Sequence, residues 1–291
     1  MFILSYDHNV KNPILFIIHS ICWRVNNILP KKPRQYLLVL GDMEKGYYAG
    51  TSGLILPVPN KQHLPLEFQD KSRLTYYATL FNSIEINSSF YKVPQAATVK
   101  KWADSVPEDF KFTFKLWRGI THTPGLSFDE DELRHFLKTI DQAGEKKGSL
   151  LVQFPPSIVQ KTHIPKLTRL LDTIRKADRE ENWNLAVEFR HASWYRESTY
   201  NLLNEFNAAL VLHDKPGSAS PMIELNTDFI YLRFHGPKGD YKGDYEDSFL
   251  TEYSSYIDEW RTDEKTVYVY FNNTAGAAIR NLQTLNAAVD Q

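Results

Sequence analysis

Cysteine is almost absent from this chain of 291 residues, in which Cys22 is the only one. An internal disulfide and a cysteine-rich zinc site are therefore excluded, and a reducing, cytoplasmic location is expected. Charge of one sign is also lacking, because the formal net charge is −1. No overall basic field attracts nucleic acid, so the charge disfavours a nucleic-acid partner.

Long apolar runs are missing as well. The run at residues 13–23 is interrupted by His19 and Ser20 and is shorter than the roughly 20 apolar residues that a membrane span needs. Asp7 and His8 precede it and no small-residue cleavage site follows, which does not fit a signal peptide. We therefore expect no membrane partner. A Gly-x-Ser-x-Gly motif and tightly spaced zinc ligands are absent too, which disfavours a serine nucleophile and a dedicated zinc motif.

The first 42 residues differ from the rest of the chain. Lys31, Lys32 and Arg34 lie around Pro30 and Pro33, a composition typical of a linker. We interpret residues 1–42 as an appendage or linker; a start-site artefact and an N-terminal helix that caps the domain remain open alternatives. Residues 43–291 approach the roughly 250 residues of a single α/β barrel domain.

From Gly46 onward, strand and helix patterns alternate. Eight strands are predicted at 47–52, 83–87, 111–117, 149–154, from 185, and at 208–213, 229–235 and 266–271. Seven helices are predicted at 71–81, 95–104, 129–143, 164–177, 197–206, 248–260 and 274–288.

This alternation favours a parallel sheet with helices outside, and eight repeats favour a TIM-type (β/α)8 barrel. The segment between Asp214 and Phe229 is too short for a full crossover helix, so the helix after strand six should be reduced or missing. An open doubly wound sheet is the alternative, but no glycine-rich phosphate loop follows the first strand.

Polar residues recur at the predicted carboxyl ends of the strands. In a barrel these ends converge on one mouth, where functional groups lie. Pairs spaced two apart, such as Glu188 and Arg190, share one face of their strand. We therefore predict a ligand site formed by Glu85, Asn87, Lys115, Gln153, Glu188, Arg190, Asp214, Arg233, His235, Asn272 and Asn273.

Three residues are candidates for acid–base catalysis: Glu188, His235 and Glu85. Arg190, Arg233 and Lys115 would hold an anion. The other predicted binding residues are Asn87, Gln153, Asp214, Asn272 and Asn273, with Trp194 and Tyr91 stacking on a ring-shaped ligand. Structural alternatives remain open, namely a buried ion pair of Glu188 with Arg190, a carbonyl-bound His235, a snorkelling Lys115 and aromatic residues that only pack.

The loops after the last two strands indicate an anion. Asn272 and Asn273 precede the predicted helix at 274–288, whose first N–H groups would favour a phosphate or carboxylate. A metal could in principle bind Glu85, Glu188, Asp214 and His235, but three neighbouring cations oppose it. We expect neither a metal nor a cofactor.

Several sequence blocks resemble one known family. They are SIEINSSFY at 83–91, FTFK at 112–115, QFPP at 153–156, EFRH at 188–191, RFHG at 233–236 and FNN at 271–273. Together they resemble the domain-of-unknown-function 72 family, the YecE-like proteins, from about Tyr47 to Leu285. The resemblance implies a TIM-type barrel with these polar residues at its carboxyl-end mouth, and it implies no reaction. Leu54 departs from the family's Gly-Thr-Ser-Gly-Trp block, and residues 1–42 have no counterpart.

Three functional hypotheses follow. The first is an enzyme, a hydrolase or a lyase or isomerase, using acid–base chemistry on a small anionic, phosphorylated or sugar-like substrate; a glycosidase using Glu85 and Glu188 is a subset. The second is a non-catalytic small-molecule binding protein. The third, which the charge disfavours, is a nucleic-acid processing protein with Tyr241, Lys242 and Tyr245 stacking on bases. The oligomeric state is left open.

Overall fold

A computed structural model describes residues 46–289 of the chain. The interpretation of residues 1–42 as an appendage therefore lies outside the described residues. Strands and helices alternate along the described part. The strands are β1 Tyr47–Thr51, β2 Ser83–Ile86, β3 Lys111–Lys115, β4 Lys147–Gln153, β5 Asn184–Glu188, β6 Ala208–Leu210, β7 Leu212–His213, β8 Phe229–Phe234 and β9 Thr266–Phe271.

Nine α-helical segments accompany these strands within residues 46–289. They are α1 Arg73–Tyr77, α2 Ser88–Tyr91, α3 Ala96–Ala103, α4 Arg118–Thr121, α5 Glu130–Ile140, α6 Gln160–Ala177, α7 Glu197–Glu205, α8 Asp247–Thr262 and α9 Ala278–Val289. None of them is long and apolar enough to cross a bilayer.

The strands form two parallel sheets, in the orders β1-β9-β8-β7 and β2-β3-β4-β5-β6. Contacts join the sheets at both edges. On one side, Ser52 forms a parallel bridge with Glu85, and the Gly53 N–H donates to the Glu85 carbonyl at 2.8 Å. On the other side, β6 and β7 are separated only by Val211, whose N–H donates to Val187 O in β5 at 2.9 Å. The fold is therefore α/β with parallel sheets.

Hydrophobic patterning explains these elements. Strands β5 and β8 are apolar and buried over nearly their whole length, as expected when helices cover a parallel sheet. Helix α5 begins after Asp129, whose carboxylate caps the N–H groups of Asp131 and Glu132. It buries Leu133, Phe136, Leu137 and Ile140, the spacing of a single apolar helix face.

Several helix boundaries differ from the predictions, and α1, predicted at 71–81, is confined to Arg73–Tyr77. Helix α6 begins at Gln160 rather than Ile164, because Pro165 lies one turn inside and removes only one helical hydrogen bond. Residues 215–228 contain no helix, in line with the short segment after strand six. Helices α2 and α4 follow β2 and β3 directly and were not predicted, since four residues show no periodicity.

The last helix begins at Ala278, four residues later than predicted. The preceding turn is held against a neighbouring loop, because the Ala275 and Ala277 N–H groups donate to Tyr241 O and Gly243 O. Gly276 lies so close that a Cβ atom there would stand 2.5 Å from Gly243 O. Asn272 and Asn273 therefore do not open this helix, and the helix terminus gives no support to an anion site at these residues.

Candidate functional site

An arginine between two carboxylates occupies the interior near the carboxyl ends of the strands. Arg233 donates from Nε and Nη2 to the two carboxylate oxygens of Glu85, at 2.9 and 2.7 Å, and from Nη1 to Glu188 Oε2 at 2.5 Å. The side chains of all three residues are fully buried. The guanidinium thus lies between the carboxylates and binds both, which compensates part of their charge.

Two hydroxyl groups complete the environment of Glu85. Ser52 Oγ donates to Glu85 Oε1 at 2.5 Å, and the Tyr231 hydroxyl donates to Oε2 at 2.7 Å. Burial alone would raise the pKa of Glu85, but the charge of Arg233 and these hydrogen bonds lower it. Glu85 is therefore an ionised, fully hydrogen-bonded carboxylate at neutral pH.

Glu188 connects this buried group to Arg190. Its second carboxylate oxygen, Oε1, is in ion-pair contact with Arg190 Nε, although the N–H is not aligned for a hydrogen bond. Burial would raise the pKa of Glu188, but Arg190 and Arg233 outweigh that effect and hold the pKa well below its usual value. Glu188 is therefore an anion held between two guanidinium groups.

His235 is a neutral imidazole with both nitrogens occupied. Arg190 Nη2 lies 2.8 Å from His235 Nε2, and because a guanidinium only donates, Nε2 is the acceptor. The Nδ1 atom, which then carries the proton, lies 3.3 Å from Asp214 Oδ1. Burial lowers the pKa of His235 to about 4, against the opposing effect of Asp214. His235 is completely buried.

A cavity of about 780 Å³ lies above this buried network, at the carboxyl ends of the strands. Its volume is within the range of small-molecule sites. Four of its lining residues are cationic, namely Lys115, Arg118, Arg190 and Lys215, and no Asp or Glu lines it. The remaining lining residues are Asn87, Phe90, Tyr91, His122, Gln153, Pro155, Pro156, Pro216, Gly217, Ser218, Tyr241, Asn272 and Thr274.

Lys115 lies in this cavity beside an aromatic ring rather than beside a carboxylate. Its Nζ lies 4.2 Å from the centroid of the Phe90 ring and makes no hydrogen bond or ion pair with residues 46–289. Burial, together with Arg233 and Arg190, lowers the pKa of Lys115 to about 8, whereas Glu188 and Glu85 oppose the shift. Lys215 differs, because its Nζ donates to Gly239 O at 2.6 Å.

The structure divides the predicted site residues into three groups. Six of them line the cavity: Asn87, Tyr91, Lys115, Gln153, Arg190 and Asn272. Four lie in the buried network: Glu85, Glu188, Arg233 and His235. Three belong to neither of these groups: Asp214, Asn273 and Trp194.

The last three residues are held by other groups of the protein, and their positions give no support to the prediction that they bind a ligand. Trp194 is fully buried, stacks on Phe189 with ring centroids 4.5 Å apart and donates from Nε1 to a backbone carbonyl, so its ring is unavailable. Asn273 donates to Gly243 O and Asn281 Oδ1, which fixes the loop. The Asp214 carboxylate accepts hydrogen bonds from the Tyr245 hydroxyl and from the backbone N–H of His235.

Sequence reasoning missed four contributors to the site. Arg118 and Lys215 line the cavity, and Ser52 and Tyr231 bind Glu85. Tyr231 could have been found, because it stands two positions before Arg233 and so shares its face of β8. Arg118 follows β3 on a short helix, and only its distance of three residues from Lys115 indicated its position.

The acidic and imidazole groups show no metal-binding arrangement. Among residues 46–289, no three His, Cys, Asp or Glu side chains converge as metal ligands. The carboxylates of Glu85 and Glu188 are instead occupied by arginine. The same contact disfavours a glycosidase that uses Glu85 and Glu188. Arg233 lies between the two carboxylates, where a water or sugar would have to lie.

Two known proteins are similar to this chain in sequence. YecE of Escherichia coli K12, a UPF0759 protein, is 28% identical over 122 residues, which are 42% of this chain and 43% of YecE. YunF of Bacillus subtilis 168, also a UPF0759 protein, is 28% identical over 73% of this chain and 84% of YunF. The match thus spans less than half the length of YecE.

Solved structures agree with the α/β fold. A DUF72 family protein of Enterococcus faecalis V583 superimposes with a TM-score of 0.70 at 21% identity, over 84% of this chain and 96% of that protein. One from Thermotoga maritima MSB8 gives 0.66 at 25% identity, over 84% of this chain and all of that protein. The family model described as "Protein of unknown function DUF72" matches residues 48–291. The chain therefore belongs to the DUF72 family.

Proposed function

We propose that this chain binds a small anionic ligand, a phosphate or carboxylate compound, in the cavity at the carboxyl ends of its strands. The observation that carries the proposal is the charge of the wall. Lys115, Arg118, Arg190 and Lys215 line the cavity, whereas all nearby carboxylates lie outside it. A cavity with one sign of charge and apolar walls concentrates ions of the opposite sign.

The proposed architecture around the cavity is a TIM-type barrel. The edge contacts of the two sheets, at Ser52 with Glu85 and at Val211 with Val187, support closure of the strands into one ring. The cavity would then be the mouth of the barrel, where such folds bind ligands.

The buried network has a positioning role in this proposal. Glu188 and His235 fix the Nε and Nη2 sides of the Arg190 guanidinium, while Nη1 makes no hydrogen bond with residues 46–289. That edge is free to donate to an anion. Glu188, Glu85 and His235 support acid–base catalysis poorly, because they are fully buried and their polar atoms are held by arginines.

Isothermal titration calorimetry with inorganic phosphate tests the proposal. Arg118 is exposed at the cavity and its replacement leaves the interior intact, so Arg118→Ala should weaken phosphate binding about tenfold, or about 1.4 kcal/mol. Lys101→Ala, on the exposed face of α3, is the matched control and should bind like the wild type. No phosphate binding by the wild type, or equal losses in both variants, would refute the proposal.

A further inference from the structure

Lys115 differs from an ordinary anion-binding lysine in its surroundings. Such lysines bind through ion pairs or hydrogen bonds, but Lys115 Nζ has neither among residues 46–289 and faces the Phe90 ring instead. The residue is only 8% exposed, at the end of β3, and it lines the cavity. The amine is thus held in place by packing, with its nitrogen open to whatever fills the cavity.

Burial and two neighbouring guanidinium groups favour the neutral form of the Lys115 amine, whereas Glu188 and Glu85 oppose it. The pKa of Lys115 is lowered to about 8, first by burial and then by Arg233 and Arg190. At pH 7 roughly a tenth of the molecules would carry the uncharged amine, compared with about one in 2,500 for an ordinary lysine. Desolvation and neighbouring cations are the two means by which enzymes make a lysine nucleophilic.

The cavity also offers positive groups that do not depend on this amine. Arg118 and Arg190 line the same cavity, and arginines stay charged at all accessible pH values. A ligand with an anionic group could be held by the arginines while another of its atoms contacts Nζ. His122 lines the same wall and is neutral, since burial lowers its pKa to about 4.

We infer that Lys115 is a catalytic nucleophile that forms an imine with an aldehyde or ketone carrying a phosphate or carboxylate group. This inference rests on the proposed anion binding and adds the substrate class. The ammonium first loses a proton to water, and the Nζ lone pair then attacks the carbonyl carbon. The C–O π bond breaks, and a proton passes from the newly cationic nitrogen to the carbonyl oxygen, which gives a neutral carbinolamine.

The resulting carbinolamine loses one water molecule as a second proton reaches its oxygen. Overall, one ammonium and one carbonyl give one protonated imine and one water, without an oxidant or reductant. The protonated imine keeps the positive charge of Lys115 and can withdraw electrons from the neighbouring carbon. Such a step belongs to lyases and isomerases that act on carbonyl compounds.

Borohydride trapping with pyridoxal 5′-phosphate tests the inference. This aldehyde carries a phosphate, and pyridoxal is its phosphate-free match. After reduction and peptide mapping, the wild type should carry the adduct mainly at Lys115, with much less at Lys215, whose amine is bound to Gly239 O. Pyridoxal should label Lys115 at least several-fold less, and inorganic phosphate should suppress the labelling.

Lys115→Arg separates the inference from the proposed function, because it keeps the charge and removes the nucleophile. It should lose the mapped adduct, and its affinity for inorganic phosphate should fall without being abolished, because Arg118 and Arg190 remain in the cavity. Labelling of Lys115 should rise with a midpoint near pH 8 rather than near pH 10.4.

Phosphate binding without an adduct at Lys115 would overturn the inference and leave the proposed function standing. Equal labelling by pyridoxal and its phosphate, or labelling of Lys215 and surface lysines to the same extent as Lys115, would overturn it too. Failure of the wild type to bind phosphate in calorimetry would refute the proposed function itself.

Discussion

Replacing Arg233 by methionine should destabilise the fold, because the buried Glu85 carboxylate then loses its cationic partner. The change removes three hydrogen bonds to carboxylates, two to Glu85 and one to Glu188, and two longer ones of 3.4 Å to Ser52 Oγ and His235 Nε2. Glu188 keeps its contact with Arg190, but Glu85 retains only the Ser52 and Tyr231 hydroxyls. Breaking a buried ion pair by removing one partner costs about 3–5 kcal/mol, a large part of a typical free energy of unfolding.

The loss of stability in Arg233→Met should depend on pH, and this dependence identifies a missing buried charge more specifically than the size of the loss does. In the wild type the pKa of Glu85 is lowered, so its stabilising contribution is complete above the unfolded-state pKa of about 4.3. In Arg233→Met burial acts without a compensating cation and should raise that pKa. The group then stabilises the fold only while protonated, so the variant should lose further stability as the pH rises from 5 to 8.

Urea unfolding at pH 5 and pH 8, followed by circular dichroism, measures both effects. Arg169→Met is the control, because Arg169 is exposed, pairs with Glu130 and lies over the Phe128 ring, so its loss should stay below about 1 kcal/mol. A change in the free energy of unfolding below about 1 kcal/mol for Arg233→Met, equal at both pH values, would refute the charged buried network.

Three further predictions concern single residues. Ser52→Ala removes a donor to the buried Glu85 carboxylate and should lower the free energy of unfolding by about 1–3 kcal/mol in urea titrations; no loss would contradict that contact. Trp194→Phe should destabilise the fold by about 1–3 kcal/mol while phosphate affinity stays within twofold in calorimetry, and a large affinity loss would return Trp194 to the site. The folded-state pKa of His235 is about 4, below the unfolded value near 6.5, so this group's stabilisation, up to about 3 kcal/mol, is lost between pH 6.5 and 4. His235→Gln should flatten this part of the stability curve against pH, and an unchanged slope would contradict the neutral, buried imidazole.

The sequence predicted which strand ends converge, because the two-residue period assigns side chains to faces. Glu188 and Arg190 share one face of their strand, and Arg233 and His235 share one face of theirs. The structure brings these four side chains together. The two-residue period does not show whether a side chain near the end of a strand is buried in the interior or reaches the cavity. A shift of two residues moves a side chain by about 6.6 Å, which is enough to separate the buried Glu188 from Arg190 at the cavity.

Loop conformation was the second feature that the sequence pattern could not predict. Trp194 follows β5 closely, as a ligand-stacking residue would, but a one-turn helix folds it back onto Phe189. Helices α2 and α4 carry Tyr91 and Arg118 to the cavity, and segments of four residues are too short for hydrophobic periodicity to indicate. The start of α9 depended on contacts with a loop thirty residues earlier in the chain, which no local pattern contains.

Binding of an anion in the cavity is the central claim, and a crystal grown with selenate tests it most directly. Selenium scatters anomalously, so the ion can be located independently of the protein phases. An anomalous peak is expected in the cavity within hydrogen-bond distance of Arg190, and inorganic phosphate should displace it. Selenate peaks on the outer surface together with none in the cavity would contradict it.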